Sequence, residues 1–212
     1  MYDEFNRGGV PAHWHLYDGR YGSGTRSCAA PSQVTVSGGA LQLRESYRAS
    51  GRCGAGWYTA GMALSGFSAV DQEVTVRWRV VRRGVSSHHI IPMRWPDDES
   101  RWTESEEDWC EGSSVSACSS FLHYGSTGSD KISHRYAFDQ RSWHTISVTR
   151  LGYSVRVRID GALAWSFTGS PSNTALRVRK HVVLQQEARA TPASRTATED
   201  IQIDWIKVAV PR

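Results

Sequence analysis

The chain has 212 residues and a mass of 23.6 kDa, with 39% apolar residues, 22% charged residues and a formal net charge of +4. So much aliphatic and aromatic content with so little net charge excludes an intrinsically disordered chain, and this length can bury one substantial core. No stretch approaches the roughly 20 uninterrupted apolar residues of a membrane span, so a soluble protein without a membrane partner is expected.

Helical periodicity is nearly absent. Short alternating apolar runs recur instead at 34–43, 73–80, 88–95, 121–124, 145–149, 153–159, 163–167, 180–186 and 201–210, separated by Gly, Ser, Asn and Pro. Strands with turn signals at such spacing predict an all-β sandwich or jelly roll. Asp160-Gly161, between two of these runs, suits the positive φ angles of a type I′ hairpin, so neighbouring strands are expected to pair antiparallel. The polar segment 187–200 resembles a linker, but only one strand follows it, too little for an independent core. A single domain, 1–212, is expected.

The basic balance, with an isoelectric point near 9.0, raises the question of nucleic acid. Lysine occurs only at Lys131, Lys180 and Lys207, and the arginines alternate with apolar residues, as in Val74-Thr75-Val76-Arg77-Trp78-Arg79. Alternation places them along strand faces, whereas a phosphate-tracking surface needs a clustered patch, so no nucleic-acid partner is expected. Cys28, Cys53, Cys110 and Cys118 form no C-x-x-C. Their short intervals favour Cys28–Cys53 and Cys110–Cys118 bridges, other connectivities remaining open, and oxidised cysteines imply a compartment outside the reducing cytosol. No charged-then-apolar leader precedes Tyr2-Asp3-Glu4-Phe5, so export is expected through a trimmed leader or another route.

The stretch from Met93 to Glu111 carries the chemistry. Glu106, Asp108 and Glu111 form an E-x-D-x-x-E pattern. On a strand the first two share a face and Glu111 is out of phase by one, which a single β-bulge between 108 and 111 would correct. Residues two apart on one face are about 6 to 7 Å apart at the backbone, close enough for side chains to reach the roughly 5 to 5.5 Å that a retaining glycosidase needs between its two carboxyl groups. Crowding of like charges raises one pKa and so keeps an acid protonated. Trp95 and Trp102 stand just before the pattern and Trp109 within it, as candidates for stacking on sugar faces, although Trp109 could face either way. Trp78, Trp165 and Trp205 read as core. His123 either hydrogen-bonds in the site or packs in its strand, and His144 reads as structural. His88 and His89 fall on opposite faces, and His13 and His15 have no third metal ligand nearby.

These residues, with Tyr2-Asp3-Glu4-Phe5-Asn6, Trp14, Gly39-Ala40-Leu41, Trp95-Pro96, Phe121-Leu122-His123-Tyr124, Trp143-His144-Thr145, Asp160-Gly161 and Ile203-Asp204-Trp205-Ile206-Lys207-Val208, resemble glycoside hydrolase family 16 over most of the chain. That family comprises endo-β-glucanases and laminarinases with a concanavalin A-like jelly roll of two antiparallel sheets and a concave substrate cleft. The resemblance implies Glu106 as nucleophile, Asp108 as assisting carboxylate and Glu111 as general acid/base. It also implies Gln185 and Arg26 at the cleft, and a structural calcium held by Glu4, the Gly39 carbonyl and Asp204. No cofactor is implied for catalysis. Two positions depart from the family pattern: Glu107 replaces an aliphatic residue facing the sandwich interior, and Ser105 replaces a glycine. Burying an unpaired carboxylate is costly, so Glu107 either pairs with an arginine, is neutral, or marks a rearranged strand. The expectation is a secreted, monomeric retaining endo-β-glycosidase acting on a polysaccharide, β-1,3- or β-1,3-1,4-glucan. The alternatives are a non-catalytic carbohydrate-binding jelly roll, an endo-acting galactanase and a uronan lyase on a similar scaffold.

Overall fold

A computed structural model describes residues 1–20, 27–83, 87–125, 127, 129–172, 174–188 and 195–211. In chain order the strands are β1 (Tyr2–Asp3), β2 (Trp14–Leu16), β3 (Ser27–Ala29), β4 (Val34–Ser37), β5 (Ala40–Arg48), β6 (Gly56–Thr59), β7 (Gly61–Leu64), β8 (Gln72–Arg83) and β9 (Ser87–Pro96). After the short helix α1 (Trp102–Ser105) come β10 (Glu107–Gly112), β11 (Ala117–His123), β12 (Lys131–Ala137), β13 (His144–Leu151), β14 (Ser154–Ile159), β15 (Ala162–Thr168), β16 (Lys180–Ala188) and β17 (Thr198–Ala209).

They form two sheets. One has the order β15-β14-β13-β8-β17-β5-β6-β3, with β1 added to β17 and β4 to β5; the other has the order β12-β11-β10-β9-β16-β7-β2. Neighbours pair antiparallel as expected, except that β3 joins β6 in parallel. Alternation builds the layer between the sheets. Val74, Val76, Trp78 and Val80 of β8 and Ile201, Ile203, Ile206 and Val208 of β17 meet Ile91, Trp109, Cys110, Val182 and Leu184 from the second sheet. Each such side chain contributes about 1.5 to 3 kcal/mol on burial.

Several local expectations meet their outcome here. Asp160 and Gly161 have φ of 51° and 82°, the two positive values a type I′ hairpin requires, and they join β14 to β15. His144 is held outside the core by Asp160 Oδ2 at 2.7 Å. Both cysteine pairs form as the intervals favoured, Cys28–Cys53 and Cys110–Cys118. β17 starts earlier than its apolar run because Asp200, opposite Arg44 on β5, accepts from that guanidinium at 2.5 and 3.2 Å. Trp205 is not a core residue: the register slips between Ile203 and Trp205, and the ring lies half-buried beside Tyr2. Among the described residues no helix is long and apolar enough to cross a membrane.

Candidate active site

The acidic pattern lies on β10, near the middle of the seven-stranded sheet. Against β11 the pairing slips by one residue: Asp108 faces Phe121, but Glu111 faces Ser119. The extra residue leaves Trp109 and Cys110 both pointing into the core, so Asp108 and Glu111 emerge on the same outer face. β9 follows the same step without slipping, since Ile90 and Met93 stay opposite Glu111 and Asp108 while Ile91 turns inward.

Glu106 is placed by the turn before the strand. Its N–H donates to the Trp102 carbonyl at 3.0 Å, which closes α1. Its own backbone is already extended, at φ −61° and ψ 139°, and its carbonyl accepts from His123 N at 3.0 Å. The ladder therefore begins one residue ahead of β10, and Glu106 is in phase with Asp108. A Glu106 carboxylate oxygen, an Asp108 oxygen and a His123 ring nitrogen all lie within 4.8 Å of one another. His123 Nε2 stands 3.8 Å from Asp108 Oδ2, longer than a hydrogen bond. His123 is buried in its strand with its ring next to the acidic residues.

The remaining sequence-predicted residues divide. Trp102, carried back over β9 by α1, lies parallel to Trp95 with ring centroids 6.4 Å apart and an interplanar angle of 8°. Gln185 is on the same outer face, in register with Ile90 of β9, and its amide donates to Glu187 Oε1 at 3.0 Å. Trp109 is not a sugar-contact candidate: it is fully buried between the sheets against Trp165, because the bulge that corrects Glu111 turns Trp109 inward. Arg26 lies outside the described residues.

Glu107, the odd residue between two outward-facing carboxylates, points into the sandwich and is fully buried. It is not alone there. Oε2 accepts from Arg94 Nη1 at 2.9 Å, and Oε1 lies 3.0 Å from Lys180 Nζ and 3.1 Å from Arg150 Nε. Arg94 also donates to Gln72 Oε1 and to the carbonyls of Ala69 and Val70, and Arg150 donates to the Leu176 carbonyl. Arg94, Glu107 and Lys180 belong to one sheet and Arg150 to the other, so the cluster ties the two layers together. Burial pushes the Glu107 carboxyl up, but Lys180, Arg94 and Arg150 outweigh it and hold the pKa down at about 2. For Lys180 burial dominates, and one carboxylate against two guanidinium groups leaves its pKa lowered to about 8. Of the three outcomes open for Glu107, pairing with arginine is the one observed, joined by a lysine.

No protein-family model matches the chain, and no curated protein matches it. Solved structures do. The laminarinase catalytic domain from Thermotoga maritima MSB8 aligns with a TM-score of 0.84 at 17% identity, over 100% of this chain and 97% of that one. The chain shares the laminarinase fold. The endo-β-1,3-glucanase from Pyrococcus furiosus aligns with a TM-score of 0.84 at 15% identity, over 98% and 92% of the two chains. A family 16 endo-glucanase from Bacteroides ovatus, solved in complex with G4G3G-2F-DNP, gives 0.80 at 14% identity over 99% of each.

Two of the three residues expected to hold calcium, Asp204 and Glu4, have side-chain partners in the protein. Asp204 accepts from Arg77, and the Glu4 oxygens accept from Tyr2 Oη at 3.2 Å and Asn6 Nδ2 at 3.0 Å. Gly39 turns between β4 and β5 at φ 76°. Asp204 is thus paired with a guanidinium and Glu4 with a hydroxyl and an amide, while all three expected groups are oxygen donors of the kind calcium takes. Sequence reasoning missed two features of the outer face. Tyr17 lies over Gly61 so closely that a Cβ there would meet its ring at 2.5 Å, and Glu187 holds the Gln185 amide. The glycine at 61 is the available signal for Tyr17, since only an absent side chain admits that ring.

Proposed function

We propose that the chain is a retaining endo-β-glycosidase of the family 16 kind that hydrolyses β-1,3- or β-1,3-1,4-glucan. The observation that carries this reading is the bulge in β10, which brings Glu111 onto the face of Glu106 and Asp108 within a fold shared with laminarinases. In this reading Glu106 attacks the anomeric carbon while Glu111 protonates the departing glycosidic oxygen. Glu111 then takes a proton from water as that water attacks the glycosyl–Glu106 ester, releasing the sugar and regenerating both carboxyl groups. Asp108, with His123 3.8 Å away, separates the charges of the other two. The parallel Trp95 and Trp102 rings offer apolar faces to a sugar at the edge of the same surface.

The two disulfides support an oxidising compartment, and secretion belongs to the proposal. The test is reducing-end release from laminarin and lichenan. Glu106→Gln is expected to lower kcat by about 1,000-fold or more with an unchanged melting temperature, since a nucleophile cannot be replaced by an amide. Equal turnover by wild type and variant would overturn the assignment, and tight oligosaccharide binding by a wild type that cleaves nothing would favour a binding module.

A further inference from the structure

The residue that departs from the family pattern lies between the proposed nucleophile and its assisting carboxylate, and its partners do not balance it. Arg94, Arg150 and Lys180 bring three positive charges to one negative, all fully buried, which leaves an excess of two. Asp71 is a further acid acting on Arg94; it is partly exposed and pairs with Arg177 at 3.3 Å. From the loop before β8 the excess is therefore offset only in part, by an acid shared with Arg177. Among the described residues, the charged and titratable groups of the outer face beside Glu106 and Asp108 include Glu111, His123, Glu187, the Arg101–Glu104 pair of the helical turn, the His181–Asp97 pair, and two exposed cations of β12, Lys131 opposite His123 and Arg135 opposite Ser119. All the groups of β10 that face outward are acids.

We propose that the Glu107–Arg94–Arg150–Lys180 cluster is a positioning device for catalysis, whose net positive charge, fixed behind β10, keeps the Glu106 nucleophile ionised although three carboxyl groups crowd the opposite face. The proposal rests on the reading of Glu106 as nucleophile. Successive side chains of a strand leave opposite faces, so cluster and carboxylates are on the order of 10 Å apart across the sheet. At that distance one unit of charge moves a carboxyl pKa by about one unit for an effective dielectric near 20. The direction is set by the sign of the excess. A buried hydrophobic residue at position 107 would fill the same space and supply none of this field.

The experiment is the acid limb of kcat/KM on laminarin, which reports the free enzyme's essential base, measured for wild type, Lys180→Met, Glu107→Gln and the double variant. Lys180→Met cuts the excess to one, and the limb is expected to move up by about 0.5 to 1 unit. Glu107→Gln raises it to three, and the limb is expected to move down by a similar amount. The double variant restores an excess of two, and its limb is expected to return to the wild-type position although two buried residues have changed. A purely structural role would lower stability in all three and move the limb in none. Should Glu107→Gln fail to fold, Lys180→Met alone decides: a limb within about 0.2 units of wild type overturns the proposal, as do single variants shifting in the same direction. Glu106→Gln is assayed alongside. If it retains turnover, the nucleophile reading is lost; if it is inactive while the limb stays fixed, only the cluster proposal is lost.

Discussion

The two faces of β10 treat the same residue type in opposite ways. On the outer face, Glu106 and Asp108 gather beside a histidine, with Glu111 brought to the same face by the bulge. On the inner face, Glu107 is a lone acid among three cations and holds its charge with a pKa near 2. Like charges pressed together push one carboxyl towards its protonated form, and opposite charges pin the other in its anionic form. Strand parity, and one bulge that resets it, decide which treatment a glutamate receives. The strand is also anchored twice on its inner side, by the ion cluster at Glu107 and by the Cys110–Cys118 bridge to β11.

Removing the inner charge should break the comparison most severely. Glu107→Leu leaves three buried cations without their anion and is expected to cost about 3 to 5 kcal/mol in denaturant unfolding, whereas replacing all four members by apolar residues of similar volume should recover most of that loss. A value below about 1 kcal/mol would mean that the inner face is not held by charge. The same group should show itself in the pH dependence of stability. Its folded pKa is depressed from 4.5 to about 2, so its contribution is complete above 4.5 and is lost as pH falls towards 2, amounting to about 3 kcal/mol. Lys180 acts at the other end of the scale: with a folded pKa lowered from 10.5 to about 8, it relieves a cost as pH climbs through that window, so stability should rise there. Cys110→Ala with Cys118→Ala opens a short loop and is expected to cost about 2 to 3 kcal/mol, with a fall in kcat as Glu111 loses its fixed backbone. Unaltered kcat in that variant would show that the ion cluster alone positions the strand.

Much of this arrangement was legible in the sequence. The spacing of Glu106, Asp108 and Glu111 demands a bulge if all three are to share a face, and the bulge lies where the spacing puts it. The facing of Trp109, open in the sequence, follows from the same bulge: an extra residue between two outward positions sends both intervening residues inward. The partners of Glu107 were not legible, since Arg94, Arg150 and Lys180 come from three other strands and only the packing of two sheets unites them. Short strands such as β6 and β7 escaped for a different reason. Both of their faces are covered, β7 by the core on one side and Tyr17 on the other, so no polar alternation marks them. Glu187 lies in a segment whose polar composition resembles a linker, yet β16 runs through to Ala188.

The claim at the centre of this account is that the outer face of β10 carries out double displacement, with Glu106 as nucleophile and Glu111 as acid/base. Proton NMR of the first product released from a β-1,3-glucan, recorded before mutarotation, tests it directly. The account predicts that the new reducing end appears first as the β-anomer and only later equilibrates. An α-anomer as the first product, or no product at all from any β-glucan, would contradict it.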